Sequence, residues 1–166
     1  MSAVQKFTPS QDQRAFRDAL GQFTTGVTVI TVESADGPVG IAANSFASVS
    51  LEPPLVLWSI AKTSKRYDAF TQAQHFVIHV LREDQDHIAN SFAKDKHAFA
   101  GLDWHLNENG GPVIEPALAH FECHLHALHD AGDHTIIIGH VDHASHGPGQ
   151  GLCFGAGKYG DFNPRS

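Results

Sequence analysis

A chain of 166 residues supports one continuous hydrophobic core and is too short for two ordinary domains and a linker. Its 42% hydrophobic and 17% charged residues describe a globular protein rather than a disordered acidic one. Eleven Lys and Arg against eighteen Asp and Glu leave a formal net charge of −7, which argues against a surface built to neutralise nucleic-acid phosphates. Thirteen histidines titrate near neutrality, so that charge depends on pH.

The first ten residues are polar, with Lys6, Thr8 and Pro9 and no apolar run behind them, unlike an export signal. The longest apolar stretch, around Leu55 to Ala61, is interrupted by Ser59 and falls well short of the roughly 20 residues that a membrane helix requires. A cytoplasmic protein without a membrane association is expected. Cys123 and Cys153 are too few for a disulfide framework and fit reduced thiols, with a single bridge left open.

In chain order, Ser10 and Gln13 have the spacing of a capping box, and Ala15, Phe16, Ala19, Leu20 and Phe23 recur at helical intervals. A helix from about Gln11 to Gln22 is expected, ended by Gly26. Val27 to Val32 is β-branched and threonine-rich and stops at Asp36-Gly37-Pro38, a turn cluster. Ile41 to Leu51 is mixed, Pro53-Pro54 breaks it, and Leu55 to Ile60 reads as a buried strand.

Thr63 or Ser64 can cap a short helix through Tyr67, Phe70 and Ala73; His75 to Leu81 has strand composition, and Asp84 to Lys94 carries Ile88, Ala89 and Phe92 at helical spacing. Gly101 to Pro116 is rich in turn residues, whereas Leu118 to Leu128 and Thr135 to Ala144 read as two long strands joined near Asp130 to Asp133. The last segment is glycine-rich, and no repeat or linker divides the chain. Strands outnumber helices, so the pattern points to an antiparallel barrel with small peripheral helices.

Three segments carry candidate chemistry. Lys62-Thr63-Ser64-Lys65-Arg66 gathers cations and hydroxyls at the expected start of a helix, which suits a phosphate. An N-capped helix with solvated basic residues is the even alternative. Ala42 to Ser48 combines small residues, which permit close backbone approach, with Asn44 and Ser45 beside Phe46; a flat heteroaromatic ligand fits such a surface, and so does a plain turn or bulge. Gly132-Asp133-His134-Thr135 puts a histidine at the mouth of a strand, where it serves either a ligand amide or an exposed turn.

Other patterns are set aside. Gly155-Ala156-Gly157-Lys158-Tyr159-Gly160 matches G-x-G-x-x-G, but only six residues follow it, too few for a crossover helix and second strand. His120, His124, His126, His129 and His134 with Cys123 match no familiar zinc spacing, and no metal site is assigned to them. Neither a P-loop nor a G-x-S-x-G run occurs.

Taken together, Gly26 to Thr31, GIAANSFASVSLEPPLVLW from Gly40 to Trp58, Lys62 to Lys65, Phe76 to Leu81, Ile88 to Ala93 and GDHTIIIGHV from Gly132 to Val141 resemble the flavin reductase-like family. The resemblance runs from about Phe16 to Tyr159. It implies a mainly β fold, the FMN-binding split β-barrel of antiparallel, Greek-key type, with a few short peripheral helices. It further implies a single domain over residues 1–166, with residues 1–9 and 161–166 as flexible ends.

Carried over by residue, Ala43, Asn44, Ser45 and Phe46 would line the flavin ring and ribityl chain, while Thr63, Ser64 and Lys65 would hold its phosphate. Phe92 would close the flavin edge, and His134 and Tyr159 would meet the nicotinamide. His79, where the family commonly has Asn, and the tail Cys153 to Tyr159, which lacks the usual His or Arg before its aromatic residue, depart from the pattern.

The implied activity is that of an NAD(P)H:flavin oxidoreductase using NADH or NADPH and FMN or FAD. It would act as a homodimer and supply a flavin-dependent monooxygenase with diffusing reduced flavin. No catalytic side chain is expected, because hydride passes between the two cofactors. The alternatives are a flavoprotein that retains FMN and reduces a bound substrate directly, or a noncatalytic flavin- or metal-binding protein.

Overall fold

The computed structural model describes residues 4–165. Its elements are α1 (Gln13–Gly21), β1 (Thr25–Gly26), β2 (Thr28–Ser34), β3 (Gly37–Ala43), β4 (Ala47–Leu51), β5 (Pro54–Ala61), α2 (Tyr67–Gln72) and β6 (His75–Val80). They continue with α3 (Asp86–Lys94), β7 (Asp103–Leu106), β8 (Pro112–Glu115), β9 (Ala119–Ala131), β10 (His134–His146), β11 (Leu152–Gly155) and β12 (Lys158–Asp161). The expectation of flexible ends lies partly outside the described residues, at 1–3 and 166; at the other end β12 reaches Asp161.

Seven strands form one antiparallel sheet in the order β3-β2-β6-β9-β10-β5-β4. The two edge strands, β3 and β4, are joined by only Asn44, Ser45 and Phe46, a link that spans no more than about 14 Å. The sheet therefore curls until its edges face each other, and no ladder joins β3 to β4. This is a split β-barrel.

Alternation along β2 shows how the sequence builds it. Ile30 and Val32 point into the main core with Trp58, Phe70, Phe76 and Ile137, whereas Val27, just before the strand, and Val29 enter a second core with Leu81, Ile88, Phe92 and Leu152. Because both faces are covered, the strand reads as a continuous buried run rather than an alternating one. The second core is closed by α3 and by the three-stranded sheet β1-β11-β12.

His79 lies wholly buried on β6. Its Nδ1 is 2.9 Å from the Val29 carbonyl, and the Ile114 amide donates to its Nε2 at 3.0 Å. A ring that accepts at Nε2 donates from Nδ1, so the neutral tautomer is fixed by the backbone on both sides. His120 completes the tether, with Nε2 3.0 Å from the Ile114 carbonyl. Two histidines thus anchor β8 to the sheet.

Several local expectations are corrected. Asp12, not Ser10, caps α1 by accepting the Ala15 amide at 2.9 Å, and the helix ends at Gly21, well before Gly26. Asp12 wins because an N-cap side chain must reach the N3 amide, and Asp12 stands three residues before it. Ahead of α2, Ser64 Oγ accepts the Arg66 amide at 3.2 Å in a turn, and no side chain caps the helix. The turn-rich stretch from Gly101 holds the β7–β8 hairpin, and the glycine-rich tail holds β11–β12. Ala156 and Gly157, with φ of 48° and 76°, make the tail's tight turn. No helix among the described residues is long and apolar enough to cross a membrane.

Candidate functional site

A cleft of 740 Å³ opens where the barrel is split. Ala42 and Ala43 at the end of β3, Asn44 and Ser45 in the link, Ser59 and Ala61 on β5, and Ala131, His134 and Ile136 on the β9–β10 hairpin line it. Leu20 of α1 and Ser64 stand at its margin. Small side chains leave a flat, mainly apolar wall, and a few hydroxyl, amide and imidazole groups provide polar contacts, as ligand clefts of about 300–1,000 Å³ usually do.

The link is held in place by local hydrogen bonds. Ser45 Oγ accepts the Ser59 amide at 3.0 Å and donates to the Ser59 carbonyl at 3.2 Å, which pins the corner to β5 across the split. Thr28 Oγ1 donates to the Ala43 carbonyl at 2.7 Å. Ser45 therefore shapes the cleft through the backbone in addition to lining it.

On the opposite wall, Lys62 Nζ donates to the Gly132 carbonyl at 2.7 Å and pairs with Asp130, clamping the hairpin turn. His134 Nδ1 lies 2.7 Å from Asp133 Oδ1. The hydrogen bond and charge of His134 hold the Asp133 carboxyl below its ordinary range. With Nδ1 engaged, Nε2 is the ring atom left to meet a ligand.

Next to this cleft is a second one of 390 Å³, lined by Ser64, Lys65, Arg66, Lys94, Asp95 and Lys96. Four cations face one carboxylate there. Burial lowers the Arg66 pKa from its ordinary value, and the Asp95 charge opposes that shift. Ser64 lines both clefts, so an apolar slot and a cationic one meet at that residue.

Ala43, Asn44, Ser45, Ser64 and His134 are thus brought together, with Lys65 in the adjoining cleft. Four of the residues singled out from sequence are placed elsewhere. Phe46 packs on the main core and stacks on Phe121 at 5.5 Å. Phe92 is fully buried in the second core against Phe99, with no exposed edge to offer a ligand. Thr63 is exposed and outside the lining of both clefts.

Tyr159 lies in a separate cleft with Cys153 and packs on Phe154 at 5.3 Å, and its hydroxyl donates to Asn90 Oδ1 at 3.3 Å. Burial, with the nearby Asp86 charge, raises its pKa. Sequence reading missed Leu20, Ser59, Ala61, Ala131 and Ile136 as lining residues, for Ser59, Ala61, Ala131 and Ile136 meet only through strand pairing and Leu20 reaches the cleft from α1.

The family model for the flavin reductase like domain matches residues 20–163. This chain belongs to the flavin reductase-like family. It is 55% identical over 158 residues to the FMN reductase (NADH) SmoA of Agrobacterium fabrum, covering 95% of this chain and 91% of that protein. It is 43% identical over 157 residues to the reductase subunit HsaB of a flavin-dependent monooxygenase of Mycobacterium tuberculosis, covering 92% and 84%.

Among solved structures, the NADH:FAD oxidoreductase of Streptomyces globisporus in complex with NAD and FAD fragments superposes with a TM-score of 0.90. The two share 40% identity, with 97% of this chain and 98% of that one covered. A flavin fits the donor set of this flavin reductase-like chain: a flat slot of small side chains for a ring, and cations beyond Ser64 for a phosphate.

Proposed function

We propose that this chain is an NAD(P)H:flavin oxidoreductase that transfers hydride from a nicotinamide to FMN or FAD. The observation that carries the reading is the meeting of the apolar and cationic clefts at Ser64, which matches a planar ring joined to a phosphate. The names of its relatives, an NADH-dependent FMN reductase and a monooxygenase reductase subunit, support it. When bound, the two cofactors supply both redox centres, and the chain lends no nucleophile, acid or base.

Ala42 and Ala43 let a ring approach the backbone, Asn44 and Ser45 offer polar contacts, and Ser64 with Lys65 receive the phosphate. His134, oriented by Asp133, positions the nicotinamide. Stacking the two rings turns a bimolecular encounter into a held geometry, the main source of rate available without a reactive side chain.

The reading extends to one flavin reductase-like domain over residues 1–166 in a homodimer. Reduced flavin then passes to a flavin-dependent monooxygenase, as in a two-component system. A cytoplasmic setting suits the need for a reduced nicotinamide pool and the two free thiols, Cys123 and Cys153.

The test is steady-state oxidation of NADH and NADPH with FMN and FAD in all four combinations, followed by loss of the nicotinamide's near-ultraviolet absorbance. Saturation in free flavin over many turnovers is expected. Absence of turnover with every combination overturns the reading.

A further inference from the structure

Away from the flavin cleft, the middle of β9 and β10 carries a second constellation. His124 and His140 are direct cross-strand partners, their rings stacked at a centroid separation of 4.6 Å. Asp142 joins them, with Oδ1 2.8 Å from Nδ1 of His124 and 3.2 Å from Nδ1 of His140. One donor atom from each of the three residues lies within 4.8 Å of the others.

Two further observations bear on this cluster. Asp142 has no partner in the β9–β10 register: Val141 pairs with Cys123 and His143 with Glu122, so Asp142 is the extra residue of a bulge. Bulges re-aim side chains and occur beside functional sites. On the other side of β9, His75 is the cross-strand partner of His124, which puts three histidines in one row across three strands. The Nδ1 of His75 is buried without a hydrogen-bond partner.

We infer that His124, His140 and Asp142 form a binding site for a first-row divalent cation of the zinc class, with His75 one strand away. Two imidazoles and a carboxylate are the donor set of Zn²⁺, Ni²⁺ and Cu²⁺, whereas Ca²⁺ and Mg²⁺ call for oxygen ligands. Bonds of about 2.05 Å in a tetrahedron place ligand atoms about 3.3 Å apart, close to the 2.8 and 3.2 Å separations here. The side chains of His124, His140 and Asp142 retain 42%, 29% and 26% exposure, which leaves an entry path from solvent.

None of these residues lines the flavin cleft. Ile136, which does, stands four residues before His140, about 13 Å along a strand. The ion site therefore stands or falls independently of the reductase reading. The competing account is an ion-free cluster in which both imidazoles donate to one carboxylate.

Calorimetric titration of the chelator-stripped protein with Zn²⁺, with equilibrium dialysis for stoichiometry, separates the two accounts. One ion per chain with a dissociation constant below about 10 μM is expected. Asp142→Asn and the double variant His124→Ala/His140→Ala should each weaken it at least about tenfold, while His87→Ala on α3 leaves it unchanged. Should the double variant fail to fold, the electron paramagnetic resonance spectrum of Cu²⁺ on the unaltered protein serves instead, with coupling to two imidazole nitrogens expected. No saturable Zn²⁺ binding, binding indifferent to the Asp142 and histidine variants, or a Cu²⁺ spectrum without nitrogen coupling overturns the proposal.

Discussion

His79 is a departure from the family pattern with a structural explanation. Burial, in the main, pushes its pKa from 6.5 down to about 3; the bond to the Val29 carbonyl opposes this and the nearby His120 adds to it. Because the folded value is depressed, the unfolded chain binds the proton first. Stability is fully present above the unfolded value near 6.5 and is lost as pH falls from there toward 3. The expected loss approaches about 1.4 kcal/mol per pH unit, read as a falling urea midpoint, and His79→Gln should flatten that dependence. At the proposed flavin site, Lys65→Ala is expected to weaken flavin binding about tenfold in a fluorescence titration, the scale of one charge-assisted hydrogen bond. His134→Ala should raise the KM for the nicotinamide and leave the melting temperature in place. A fall in stability at unchanged KM would make His134 a turn residue only.

At the scale of elements, the packing of α3 on β3 depends on one missing side chain. A Cβ at Gly40 would sit 2.5 Å from Phe92 Cδ1, while the Gly40 amide donates to the Lys96 carbonyl at 2.8 Å. Gly40→Ala must therefore push the Phe92 ring and its helix outward, at a cost of about 1–3 kcal/mol in a denaturation experiment. Lys94 and Lys96 travel with that helix, so the variant should also bind flavin more weakly. On the proposed reading, Phe92 would serve the site indirectly, by seating the segment that carries Lys94 and Lys96. The β9–β10 hairpin has a parallel role: Lys62 clamps its turn, and the turn presents Ala131 and His134 to the cleft.

For the whole molecule, α1 is held to the rest of the chain at its end, where the Ala156 amide donates to the Gly21 carbonyl at 2.6 Å. None of its residues is buried, and Phe16, Leu20 and, just beyond its end, Phe23 are 42%, 58% and 78% exposed. A helix of nine residues is marginal in water without packing, and in the proposed homodimer a second copy of the chain would cover this apolar stripe. Sedimentation is expected to give a dimer, and Leu20→Asp to dissociate it. Because Leu20 also borders the proposed flavin cleft, the same substitution should weaken flavin binding. A monomeric unaltered protein at micromolar concentration would remove that explanation.

The long strands, α3 and the dense motifs were legible in the sequence, for each is written in residues close along the chain: β-branched runs in β2, helical spacing in α3, the small-residue and Gly-Asp-His segments. From those the mainly β class and the family resemblance followed. Contacts between distant residues were not legible. Phe46 and Phe92 look alike as aromatic neighbours of a ligand until the tertiary fold sets one against Phe121 and packs α3 so that the other lies beneath Gly40. The histidines divide in the same way: the fold buries His79 between two backbone partners and gathers His124 and His140 around Asp142. Periodicity fixes which face a residue occupies, and only the closure of the sheet decides what that face meets.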